Sequence, residues 1–270
     1  MADEKSKTEN KTPETAQENG QGDAPRLPMF FNTLEPLNHR DHKDLCLADT
    51  PNFEFAKEAH LVPLLAEEFP VAQRFFPIVF DSQGIGQPIA IMGLRQGINS
   101  YVEDDGGWKK DIYIPAYIRR YPFMLARLRE GDDKLSLCLD PGAKIVRKTG
   151  DRKLFDGEEG SQLTKDILTF CERYERGAAQ TRLFCEKLNE LELLREGEAV
   201  VQRGDKPTRF SGFRIVDENK LRELKQKTVS ELHSNGTLAV IHAHLFSLSL
   251  FQTMVPNDMG IGADAAPAAS

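Results

Sequence analysis

The sequence predicts an α+β protein in which an antiparallel sheet packs against a long amphipathic helix and a buried C-terminal helix. Three observations lead there. Apolar runs of strand length are separated by glycine-rich turns. Residues 161–195 carry a sustained helical seam. Strand-like and helix-like stretches come in blocks, without the strict alternation that builds a parallel α/β sheet.

Residues 1–26 contain acids, Lys, Thr, Gln and Asn and almost nothing to bury. Such a segment cannot offset its ordering entropy, so a disordered tail is expected. A single folded domain is expected over residues 27–255, with a flexible tail over 256–270. Up to about residue 61 the chain reads as loop and extended segments. VPLLAEEFPVAQRFF, residues 62–76, reads as a short helix broken near Pro70. FPIVF is a strand, DSQGIGQ a turn, PIAIMGL the returning strand, NSYVE a third strand and DDGGWK a further turn. Gly84 and Gly86 therefore belong to a hairpin. They lack the third glycine and the following helix of a dinucleotide loop.

In DIYIPAYIRRYPFML, residues 111–125, Pro115 suits the first position of a helix and Pro122 stops it. Ala116 to Arg120 is then a turn or two, followed by a second short helix over FMLARLRE. LSLCLD reads as a strand ending at Asp140-Pro141-Gly142. The helical seam comprises Leu163, Ile167, Phe170, Tyr174, Gly177, Thr181, Phe184, Leu188 and Leu191. Its alternating spacing of three and four places them on one face. Ser161 is the N-cap. Gly177 and Thr181 are the weak points of the seam, where the helix bends or a neighbour approaches closely. This face packs on the protein's own sheet or on a partner helix, so a homo-oligomer through the 161–195 helix is a second use for it. EAVVQ and RFSGFRIV read as a hairpin around GDKP. Asp217 caps ENKLREL, and TVSELHSNG is a helix stopped at Asn235-Gly236. LAVIHAHLFSLSLFQTMV, residues 238–255, is at the short limit for a membrane span, which needs roughly 20 apolar residues. A buried core helix is expected instead.

The net charge of −7, with no basic run, argues against a nucleic-acid partner. Cys46, Cys138, Cys171 and Cys185 have no CxxC spacing, so no zinc site is expected. Without a signal peptide's apolar core they read as reduced thiols of a cytoplasmic protein. No cofactor motif is present, and no GxSxG elbow.

The candidate ligand- or partner-binding residues are Tyr117, Arg119, Arg120 and Tyr121. Arginine suits bidentate recognition of carboxylate or phosphate, and tyrosine supplies faces and hydroxyls. On a helix the two arginines point about 100° apart, so one can pair internally while the other meets a ligand. The alternative is that the segment only braces the sheet. His242 and His244 stand two apart on a helix and face different sides, whereas helical metal pairs need a spacing of four. His39 and His42, with Asp41 and Asp44, form the other cluster that a metal could use.

PLNHRDHKDLCL, VPLLAEEFPVAQRFFPIVF, YIPAYIRRYPF, FCEKLNELELL, SGFRIVDENKL and HSNGTLAVIHAHLFSLSLFQ occur in that order. Together they resemble the SapC family of bacteria, from about Met29 to Phe251. The family takes its name from a surface-layer-associated protein and implies no assigned reaction or catalytic residue. A permease sharing the name needs a set of membrane spans, which this sequence lacks. The reading favoured by the residues is a cytoplasmic binding or adaptor protein recognising a protein partner or an anionic small molecule. A metal-dependent enzyme using His242, His244, His39 or His42, and a surface-layer structural protein, are the alternatives.

Overall fold

The computed structural model describes residues 27–129, 134–203 and 206–254. The main sheet has five strands: β1 (Leu61–Pro63), β2 (Ile78–Asp81), β3 (Pro88–Ile91), β4 (Leu194–Arg203) and β5 (Lys206–Val216). They are ordered β4-β5-β2-β3-β1, each pair antiparallel. A smaller antiparallel sheet joins Glu35–Pro36, Ser136–Leu139 and Phe123–Ala126. The fold is thus α+β with antiparallel sheets, a long helix and a C-terminal helix.

The β2–β3 hairpin forms where Ile, Val and Phe alternate with a turn whose Gly84 and Gly86 take φ of 54° and 78°. NSYVE does not add a third strand. Its Val102 makes one isolated bridge to Trp108. The cause is Asn99, a buried side chain that donates to the Ala56 carbonyl and accepts the Tyr101 N–H, both at 3.0 Å. These bonds draw the backbone away from a ladder, and β1 takes the free edge of β3.

Two helical expectations are also corrected. Pro70 does not break a helix over residues 62–76. It sits in the first turn of Phe69–Ala72, where its missing N–H costs nothing, and residues 61–63 upstream are strand. FMLARLRE does not form a helix: Phe123–Ala126 is a strand, and residue 130 lies outside the described residues. Helix propensity there yields to a four-residue register with Ser136–Leu139, which buries Phe123 and Leu125 against Leu139 and Leu154.

The seam is one helix, Gln162–Glu190, whose Ser161 cap accepts the Thr164 N–H at 3.3 Å. Tyr174, Phe184 and Leu188 face the core with Phe69, Phe80 and Ile78. At the weak seam positions a neighbour does approach. A Cβ on Gly177 would stand 2.8 Å from Leu65 Cδ1. Thr181 Oγ1 accepts the Ala66 N–H at 2.8 Å and donates to the Gly177 carbonyl at 2.7 Å. The hairpin expected at GDKP joins β4 and β5, although residues 204–205 lie outside the described residues, as do residues 1–26 and 255–270.

The C-terminal helix, Thr237–Ser247, continues through Leu248–Leu250 into Phe251–Met254. It is less buried than expected. About a third of Thr237–Met254 is inside, and Phe246 is 67% exposed. Its inner face wedges into the sheet. β5 pairs β2 at Phe213–Asp81 and Arg214–Phe80. Two residues further along the same register, Val216 and Ile78 stand opposite each other but do not bond. His244 fills the gap: Nε2 accepts the Val216 N–H at 3.1 Å and Nδ1 donates to the Ile78 carbonyl at 2.8 Å. Ser247 Oγ accepts the Ile78 N–H at 2.9 Å. The helix thus stands in for the missing rung, and every buried backbone group there keeps a partner.

Burial lowers the pKa of His244 from 6.5 to about 4. Below pH 6.5 the unfolded chain takes up a proton that the native state refuses until about pH 4. The group's contribution is full above pH 6.5 and is lost as pH falls through that window, a change of about 3 kcal/mol. His244→Gln is expected to be less stable at neutral pH and to lack this decline. Urea denaturation of both proteins between pH 7.5 and 4.5 measures the difference, and parallel pH curves would contradict the assignment.

Candidate functional site

The four candidate residues lie on one short hinge. Pro115, at φ −53° and ψ 143°, precedes the helix Ala116–Arg119, and the cis Tyr121–Pro122 bond leads into the strand Phe123–Ala126. A hinge this short sends its side chains in different directions.

Arg120 turns inward. It is 7% exposed, with its guanidinium carbon 4.3 Å from the ring centre of Tyr117 and 4.4 Å from that of Tyr174. Its Nη1 stands 3.8 Å from Glu175 Oε1, and its Nε has no hydrogen-bond partner among the described residues. Two ring faces thus hold a cation that direct hydrogen bonds serve poorly. Burial pushes the pKa of Tyr174 and of Glu175 upward against the pull of Arg120.

Arg119 turns outward and is anchored from behind. Its Nε donates to the Ile114 carbonyl at 2.9 Å and Nη2 to the Tyr113 hydroxyl at 3.1 Å. Its guanidinium lies 5.3 Å from the Phe170 ring centre. Tyr113 in turn donates to Glu68 Oε1 at 2.8 Å. The buried Glu68 also accepts the Ala116 N–H at 2.7 Å and the Leu65 N–H at 2.8 Å. Burial raises the Glu68 pKa against these three donors. Burial and the Glu68 charge push Tyr113 up to about 12. Glu68 escaped the sequence reading because AEEF looks like a solvated helix face. Its carboxylate reaches back three residues to the Leu65 N–H, half of a capping box, but without the Ser or Thr that would mark one in the sequence.

Arg119, Tyr113 and Glu68 line a pocket of about 330 Å³ with Leu65, Val71, Phe170, Arg173 and Tyr174. The Tyr174 hydroxyl, on a residue 9% exposed, makes no hydrogen bond among the described residues. Glu67, on the rim, lies 3.7 Å from Arg173.

Tyr121 faces another cleft, of about 840 Å³, between residues 29–32, 52–61 and 142–145. Its ring centre is 4.3 Å from Phe55 and 5.2 Å from Phe31. Burial and the neighbouring Asp140 push its hydroxyl up to about 12. Asp140 is itself buried and fastens the outer wall. It accepts the Asn32 N–H at 2.8 Å, and the Thr33 hydroxyl and the Gly142 N–H at 3.0 Å. Tyr117 and Arg120 therefore sit inside, Arg119 at one pocket and Tyr121 at the other.

The histidines are not brought together. His242 stacks on Phe246, and His244 is held by Val216 and Ile78. His39 meets the edge of Phe155. His42 accepts the Asn38 N–H through Nδ1 at 3.2 Å, and its Nε2 lies 3.4 Å from Glu35. Among the described residues no three His, Cys, Asp or Glu side chains group as a metal would require. The four cysteines are unpaired and buried, and burial pushes Cys171 and Cys185 up to about 12. Such thiols are poor nucleophiles.

The family model for SapC matches residues 37–254, which takes in both pockets' hinge and the C-terminal wedge. No curated protein and no solved structure matches the chain.

The geometry separates the neighbouring arginines by stability. Arg120→Lys is expected to destabilise by about 2 kcal/mol, because a buried ammonium loses two stacked faces. Arg119→Lys is expected to stay within about 0.5 kcal/mol, as for most exposed positions. Glu68→Ala strands two buried N–H groups and should cost about 3 kcal/mol. Urea midpoints check all three, and equal losses for the two lysine variants would refute the division.

Proposed function

The chain belongs to the SapC family, and we propose that it is a binding protein whose Arg119 pocket receives the carboxylate of a small ligand. The observation that carries this reading is the state of Arg119. Two of its five N–H donors are tied back to Ile114 and Tyr113, which fixes the guanidinium plane. The others make no hydrogen bond among the described residues. A guanidinium held this way is preorganised for a carboxylate, and little side-chain entropy remains to be lost on binding.

The rest of the pocket supports the same chemistry. The unbonded Tyr174 hydroxyl can donate to a second oxygen of the ligand. Leu65, Val71 and Phe170 offer an apolar seat for its body. The volume lies at the lower end of small-molecule sites, which suits a ligand of modest size. Glu68 at the floor has its charge distributed over three donors, and Glu67 is paired with Arg173. Glu68 attracts Arg119 at longer range, and neither carboxylate forms an ion pair with it among the described residues. Recognition is what these groups support: the hydroxyl–carboxylate pair among them, Tyr113 on Glu68, also holds Arg119 in place. In this reading the protein works in the cytoplasm.

A panel of short carboxylates, from acetate to branched five-carbon acids and phenylacetate, titrated by NMR tests the proposal. At least one acid is expected to bind, and its primary amide is not. Arg119→Lys should weaken binding about tenfold, near 1.4 kcal/mol, and Tyr174→Phe should weaken it severalfold. Absence of any binding acid, or equal affinity in a folded Arg119→Gln protein, would overturn it.

A further inference from the structure

We infer that the larger cleft is a docking site for a basic side chain, arginine or lysine, presented by a protein partner. The inference is independent of the Arg119 pocket, with which the cleft shares no lining residue.

The wall of the cleft is aromatic. Phe30, Phe55 and Tyr121 form a mutually packed platform, with ring centres 5.0 Å apart for Phe30 and Phe55, 4.3 Å for Phe55 and Tyr121, and 6.1 Å for Phe30 and Tyr121. All three rings are only partly buried, so solvent reaches them. Phe30 sits at a φ of 80°, a conformation that is costly for a bulky residue and that recurs at ligand-contacting positions. A rim of aromatic faces attracts cations through the ring quadrupole.

The charges around the platform have the matching sign. Glu54, Glu58 and Lys144 line the cleft. Lys144 Nζ lies 2.7 Å from Glu54 Oε2, so the lysine is neutralised within the site. Glu58 is exposed and makes no ion pair among the described residues. Its carboxylate is the uncompensated charge of the cleft. An acidic ligand would meet Glu58 with no unpaired lysine or arginine to hold it. A basic side chain can lie on the rings and place its charge toward Glu58. The protein already stabilises a cation this way, since Arg120 lies between Tyr117 and Tyr174 at 4.3 and 4.4 Å. A net charge of −7 would also speed the approach of a basic partner.

The size of the cleft points to a side chain carried on a peptide rather than to a free amine. At about 840 Å³ it exceeds what one arginine fills, which leaves room for flanking backbone. Asn32, on the lining, supplies a side-chain amide suited to that backbone, while the Asn52 amide is tied to Asp105 and Glu54.

The test uses nine-residue Gly/Ser peptides with a single central Arg, Lys, Leu or Glu, titrated into the full chain and followed by NMR of the Phe and Tyr rings. The Arg and Lys peptides are expected to bind at least fivefold more tightly than the Leu peptide, with the Glu peptide weakest. Raising salt from 20 to 300 mM should weaken the Arg peptide severalfold. Glu58→Gln should cut its affinity about fivefold and flatten the salt response. Phe55→Leu should weaken it at either salt concentration, provided the variant keeps the wild-type amide spectrum. Equal affinity for Leu and Arg peptides would mean an apolar docking groove and would overturn the inference. So would an unchanged Glu58→Gln protein, or no binding by any peptide.

Discussion

Glu68 is the group on which the architecture around the hinge depends. One buried carboxylate accepts bonds from Leu65, Ala116 and Tyr113. It thereby closes the 65–68 turn, starts the helix that follows Pro115 and orients the tyrosine that supports Arg119. The same turn is docked on the long helix through Gly177 and Thr181. Burying a carboxylate is expensive and raises the Glu68 pKa; three converging donors and the Arg119 charge act in the opposite sense, and the fold would lose all three connections together without it.

The consequence is a division of labour between adjacent residues. Arg120 is consumed by the interior, between two rings, while Arg119 is fixed in place yet keeps donors for solvent or ligand. Tyr117 serves Arg120, and Tyr121 serves the opposite cleft. A hinge of two prolines around a four-residue helix therefore reaches the core, one pocket and the other cleft at once.

The AHLFSL stretch belongs to a different task. His244 and Ser247 replace the rung that β5 and β2 do not make, which lets a helix enter between two inner strands of the sheet without stranding Ile78 or Val216. The imidazole suits this because one ring nitrogen accepts while the other donates, provided it stays neutral. The presence of His244 is thus accounted for by backbone satisfaction, with no ligand required.

Much of this was legible along the chain. Periodicity located the long helix, and Ser161 and Asp217 marked caps that local hydrogen bonds alone decide. The β2–β3 hairpin and the divergence of Arg119 from Arg120 follow from turn chemistry and helical geometry, both of which act over a few residues. NSYVE, FMLARLRE and Pro70 were misread because their outcome depended on distant partners: Asn99 on Ala56, Phe123–Ala126 on Ser136–Leu139, and the Pro70 helix on the turn that Glu68 caps. The sequence by itself determined the class of fold, the helix with its seam and the short list of arginines and tyrosines. Only the tertiary structure decided which of those side chains is buried, that Glu68 unites them, and that Glu58 stands beside an aromatic platform. Such facts arise between residues far apart in the chain, where no local spacing records which groups will meet or how much water will remain between them.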